Sequence, residues 1–120
     1  MERLPSMTAR EIVQSKILSD RRQEGGGLAL LSKVSPPPRK LVKIVAVARS
    51  DEHVFNLQGG RGTKSGQPAR GASDYTLNSE GQVHSALIGT ETLSLVIYRG
   101  EPDQNLSFEV VDAAPASEVR

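Results

Sequence analysis

The chain has 120 residues, enough for one modest core and too few for two ordinary domains. It has no cysteine, which excludes a disulfide framework and any thiolate metal site, and no run of apolar residues long enough for a transmembrane helix. The net charge of +1 conceals two ends: residues 1–70 carry 13 Lys or Arg against 6 acids, residues 71–120 carry 2 against 8. Opposed charge of this kind steers association between subunits or toward an acidic partner.

The first seven residues carry no periodic signal and no apolar signal-peptide segment, so a cytoplasmic origin is the default expectation. Thr8 and Glu11 have the spacing of a capping box, and Ala9, Ile12, Val13 and Ile17 form a narrow apolar stripe, which together predict a helix from about 9 to 20. Arg21 and Arg22 suit the carbonyl end of that helix, and Gly25-Gly26-Gly27 ends regular structure. Leu28, Ala29, Leu30 and Leu31 form an isolated apolar island, readable as one helical turn or an edge strand. Held between flexible glycines and the stiff Pro36-Pro37-Pro38, it has the character of an anchor for a neighbouring surface. Residues 1–40 are accordingly expected to form an extended arm with a short helix and a proline spacer, and Ile12, Val13, Ile17, Leu28, Leu30 and Leu31 its contact residues.

Leu41–Ala48 is an apolar run rich in branched side chains and interrupted only by Lys43, the pattern of a central strand. After a polar turn, His53–Leu57 predicts a second strand with His53, Phe55 and Leu57 on one face. Residues 59–74 are a Gly-rich loop carrying Arg61, Lys64 and Arg70. Four more strand segments follow: Tyr75–Asn78, Gln82–Ile88, Thr92–Tyr98 with Leu93, Leu95 and Ile97 on one side, and Asn105–Val111 with Leu106, Phe108 and Val110 inward. Six closely spaced strands over 41–111 predict a mainly β fold, a small antiparallel sandwich or barrel, followed by a loose tail over 112–120.

The chemistry-bearing residues form no motif. His53 and His84 are the only histidines, and neither has close-spaced ligand partners, although Asp51 or Glu52 could join them. No metal or cofactor is assigned. Serines, a histidine and Asp74 or Asp103 permit a triad only by arithmetic, without a nucleophile-elbow pattern, so no catalytic residue is assigned. The glycines and basic residues of 59–74, extended by Arg39 and Lys40, suit weak contact with a nucleic-acid backbone but lack the lysine placement and following helix of a phosphate loop. The sequence therefore predicts a non-enzymatic structural or assembly protein, of the shell, tail or virion kind, forming homo-oligomers through its arm and its Gly/Arg loop without membrane insertion. A nucleic-acid-binding module is the alternative, an adaptor the third reading.

Overall fold

The computed structural model describes residues 9–59 and 75–113. A single helical turn, α1 (Ala9–Ile12), leads directly into eight strands: β1 (Val13–Arg21), β2 (Gly27–Val34), β3 (Lys40–Val47), β4 (Glu52–Gln58), β5 (Tyr75–Asn78), β6 (Val83–Ile88), β7 (Thr92–Tyr98) and β8 (Gln104–Asp112). They form two antiparallel sheets, one of five strands ordered β1-β2-β7-β4-β5 and one of three ordered β6-β3-β8.

Strands β3 to β8 are the six read from the sequence. The expected helix over 9–20 is corrected: it stops at Ile12 and the chain continues as β1, paired with β2 from Val13↔Val34 to Arg21↔Gly27. Past Val13 every residue of β1 is exposed, so the strand is held by backbone pairing and not by an apolar face. Of the stripe that imitated helical spacing, Ile12 and Val13 pack in the core whereas Ile17 is exposed. Leu28–Leu31 is likewise neither a helical turn nor an edge, because β2 lies between β1 and β7. Residues 13–34 thus belong to the larger sheet, where an extended arm was expected.

The core is built from both sheets. Ile12, Val34, Val42 and Ile88 form its buried centre, with Val13, Ile44, Ala86 and Phe108 packed around them. β3 is the central strand of its sheet as expected; Val42 is fully buried, whereas Lys43 on the opposite face is exposed, facing Leu87 and Glu109 in register. On β8 only part of the inward expectation holds. Phe108 packs on the core, but Leu106, which falls at the register shift between Val45 and Ala46, and Val110, on the same edge strand, are exposed.

The connections between the sheets are unevenly placed. Five connections pass between the sheets: residues 35–39 from β2 to β3 and 89–91 from β6 to β7 and, at the opposite end of the strands, residues 48–51 from β3 to β4, 79–82 from β5 to β6 and 99–103 from β7 to β8. Hydrogen bonds stitch the last three crossovers together. Ala48 N–H donates to Gln82 O (3.0 Å) and Gly81 N–H to Ala48 O (2.7 Å), while Arg99 N–H donates to Asp51 O (2.9 Å). Glu80 N–H donates to Asp51 Oδ1 (2.9 Å). Buried Ser50 donates its hydroxyl to Glu101 O (2.8 Å) and accepts from Gly100 N–H (2.9 Å).

Candidate functional sites

Two features stand out from a generic β-fold, one polar and internal, the other apolar and external. The polar one lies where the three hydrogen-bonded crossovers meet. Glu52 follows the first crossover, His84 the second, and Asp103 closes the third. Asn78 and Tyr98 end the strands that lead into the second and third.

His84 Nε2 is hydrogen-bonded to Asp103 Oδ2 at 2.7 Å and lies 3.5 Å from Glu52 Oε1. Asn78 Nδ2 donates to the same Glu52 oxygen at 2.9 Å. One ligand-type atom from each of Glu52, His84 and Asp103 falls within a 4.8 Å span. Burial pushes the Glu52 carboxyl upward from its ordinary range, and the neighbouring Asp103 charge adds to the effect, against the amide of Asn78. Burial, followed by the charges of Glu52 and Asp103, raises the Tyr98 phenol well above the usual tyrosine range, so it stays a neutral donor beside Glu52. The second Asp103 oxygen, Oδ1, is buried with no hydrogen-bond partner. The arrangement can hold a proton between two carboxylates and an imidazole, or a cation in the proton's place.

These three residues lie 32 and 19 positions apart, and no local spacing could have grouped them. Glu52 and His84 were considered with His53 and Asp51. His53 instead points elsewhere, its Nδ1 2.8 Å from the Tyr75 hydroxyl.

The apolar feature is the outward face of the five-stranded sheet. Strand alternation puts Leu28, Val34, Val96 and Thr92 on the covered face, all buried. On the other face, register aligns Leu31, Leu95, Phe55 and Tyr75 in one cross-strand row and Ala29, Ile97, His53 and Leu77 in the next. Phe55, Tyr75, Leu77 and Ile97 are 37–43% exposed. Phe55 and Tyr75 pack with ring centroids 5.1 Å apart, and His53 stacks on Tyr75 at 6.0 Å. The chain has two Phe, two Tyr and no Trp, and half of these rings stand on the outside.

The residues expected to contact partners are divided between core and surface. Ile12 and Leu28 are buried in the chain's own core, and Val13 packs against it. Leu30 and Leu31 are half-buried on opposite faces of β2, while Ile17 is exposed on the edge strand β1. Leu28 therefore packs in cis. Of the basic residues expected to meet a polyanion, Arg39 is exposed at a turn with φ 61°, and Lys40 pairs with Asp112, whose carboxyl that contact lowers. Arg61, Lys64 and Arg70 lie outside the described residues.

Comparison of the chain with protein families, with curated proteins and with solved structures finds no match. Among the described residues no helix is long and apolar enough to cross a membrane.

Proposed function

We propose that this is a non-enzymatic structural protein, a two-layered β-sandwich that assembles with copies of itself through the outward face of its five-stranded sheet. The observation that carries this reading is the aromatic and aliphatic surface of Phe55, Tyr75, Leu77 and Ile97, aligned across β5, β4 and β7. A chain this poor in aromatic rings gains most by burying them, and a second copy offers a matching face in a two-fold contact.

Contact through sheet edges is less favoured, because three of the four edge strands carry devices that discourage strand addition. β1 has a register shift between Ile17 and Ser19 and charged residues at Lys16, Asp20 and Arg21; β5 is only four residues long; β8 is bulged against β3 and bears Glu109 and Asp112. The faces are broad by comparison. The molecule measures 51 × 36 × 23 Å, so either broad side exceeds the roughly 800 Å² per partner of a standard stable interface. Attachment through the sheet face replaces attachment through an N-terminal arm, since Ile12 and Leu28 serve the chain's own interior. Shell-like or tail-like assemblies are the setting such a subunit fits.

Sedimentation across micromolar to millimolar concentrations tests the proposal. The wild-type chain should form a dimer or larger closed oligomer, and the double variant Phe55→Lys/Ile97→Lys should sediment as a monomer with an unchanged far-ultraviolet spectrum. A wild-type chain that stays monomeric throughout, or a double variant that still assembles, overturns it.

A further inference from the structure

We infer that Glu52, His84 and Asp103 form a binding site for one divalent transition-metal ion of the zinc class, which ties together the three inter-sheet crossovers at one end of the fold. The site is independent of the assembly surface and would stand if that proposal failed.

Geometry is the first support. Ligand atoms of one imidazole and two carboxylates lie within 4.8 Å of one another, from residues at or next to the ends of three separate crossovers. Ligand atoms about 2.1 Å from a tetrahedral zinc ion lie about 3.4 Å apart, so closure asks for side-chain adjustments on the order of an ångström, bringing the widest pair inward and opening the 2.7 Å contact between His84 and Asp103. Among the described residues this is the one cluster of three such groups near enough to share an ion.

Charge and satisfaction supply the second and third. Glu52 is 6% exposed, and the side chain of Asp103 is 9% exposed. Two carboxyl groups are thus brought inside the fold, and a buried carboxylate is costly unless a cation pairs with it. Among the described residues no Lys or Arg forms an ion pair with either carboxylate. A divalent cation with neutral His84 brings the sum to zero. Asp103 Oδ1 meanwhile is a buried acceptor without a donor, in a fold whose other crossover groups are closely paired. Such an orphan is the expected mark of a missing ion or water.

The donor set selects the metal class. One imidazole nitrogen with two carboxylates suits zinc and its neighbours, whereas calcium and magnesium prefer shells made wholly of oxygen. On binding, the ion replaces the His84 Nε2 proton now held against Asp103, and that proton leaves to Nδ1 or to solvent. Asn78 stays on Glu52 Oε1 and fixes the carboxylate from behind, as outer-sphere partners of metal ligands do. Because Glu52 belongs to the five-stranded sheet and His84 and Asp103 to the three-stranded side, the ion would cross-link the two layers.

The test uses the untagged full chain, stripped with EDTA and titrated calorimetrically with zinc chloride. One equivalent should bind, and the melting temperature should rise by several degrees with zinc while magnesium and calcium leave it unmoved. His84→Gln and Asp103→Asn should each lose the saturable binding and the melting shift; His53→Gln, which removes the only other histidine, should keep both. Should a cluster variant fail to fold, cobalt(II) added to the wild-type chain decides the matter through its visible absorption: a band typical of protein nitrogen and oxygen ligands supports the site, and the spectrum of the hydrated ion refutes it. The inference is also overturned if zinc does not bind the wild-type chain stoichiometrically, if His84→Gln binds as well as wild type, if His53→Gln loses binding, or if calcium or magnesium stabilises equally.

Discussion

Replacing Gly27 with alanine should destabilise the fold far more than the same change two residues earlier, although both glycines have a left-handed backbone. Gly25 has φ 75° and Gly27 φ 84°. A Cβ at Gly25 would meet nothing within 4 Å, whereas a Cβ at Gly27 would lie 2.4 Å from Tyr98 O and 3.1 Å from Arg99 O. The left-handed conformation alone costs an ordinary residue about 1–2 kcal/mol, which is the whole expected effect at Gly25. At Gly27 the clash is with backbone, and Tyr98 is paired with Leu28 on one side and Glu52 on the other. Its carbonyl cannot retreat without disturbing two strand pairings. Overpacking of this kind adds about 1–3 kcal/mol, giving a total of about 2–5 kcal/mol. Urea denaturation of the two variants beside wild type measures both quantities. Equal losses at the two positions would refute the close approach of β2 to the end of β7.

Three further outcomes follow from the same geometry. Ile12→Ala should cost about 2–5 kcal/mol in chemical denaturation, because a side chain 1% exposed at the core's centre is cut back to a methyl; a loss below about 1 kcal/mol would mean that the N-terminal turn does not dock. Ser50→Ala should cost about 1–3 kcal/mol in the same assay, since it removes both hydrogen bonds of a buried hydroxyl, to the Gly100 amide and the Glu101 carbonyl, at about 0.5–1.5 kcal/mol each. Asp20→Asn should flatten the acid limb of the stability profile. Hydrogen bonds from Arg22 hold the Asp20 carboxyl down at about 2, so its contribution is present above the ordinary carboxylate range and is lost as pH falls toward 2. Melting temperatures of variant and wild type should therefore converge across that window, and parallel curves would contradict the assignment.

The strands legible in the sequence were those with punctuation at both ends and an alternation to match. Thr92–Tyr98 shows both what alternation gives and where it stops. It places Leu93, Leu95 and Ile97 together, but only the structure tells that Thr92 and Val96 face the core and that the leucine side looks outward. Alternation divides a strand into two faces without saying which is covered. β1 was illegible for a different reason: an exposed edge strand held by main-chain pairing imposes no apolar period, so the chance spacing of Ile12, Val13 and Ile17 prevailed. The Glu52–His84–Asp103 cluster was hidden because its members meet only after three chain reversals have been placed side by side. Each follows a turn signal that was visible; their convergence depends on strand order, which no local pattern encodes.

The pairing of β2 with β7 sets a timetable for the newly made chain. β1 and β2 can meet almost as soon as they are synthesised, joined by a turn whose Arg21 and Glu24 are bonded. The next strand to pair with β2 is not its successor but β7, with Tyr98 lying 70 positions beyond Leu28. Until then the hairpin presents Leu28, Leu30 and Leu31 along an unpaired edge while β3 to β6 are still being made. Non-local closure of this kind slows folding and lengthens the exposure of strand edges to neighbouring chains. Ribosome-bound chains ending before Thr92 should accordingly be more prone to aggregate and to bind chaperones than chains long enough to expose Tyr98.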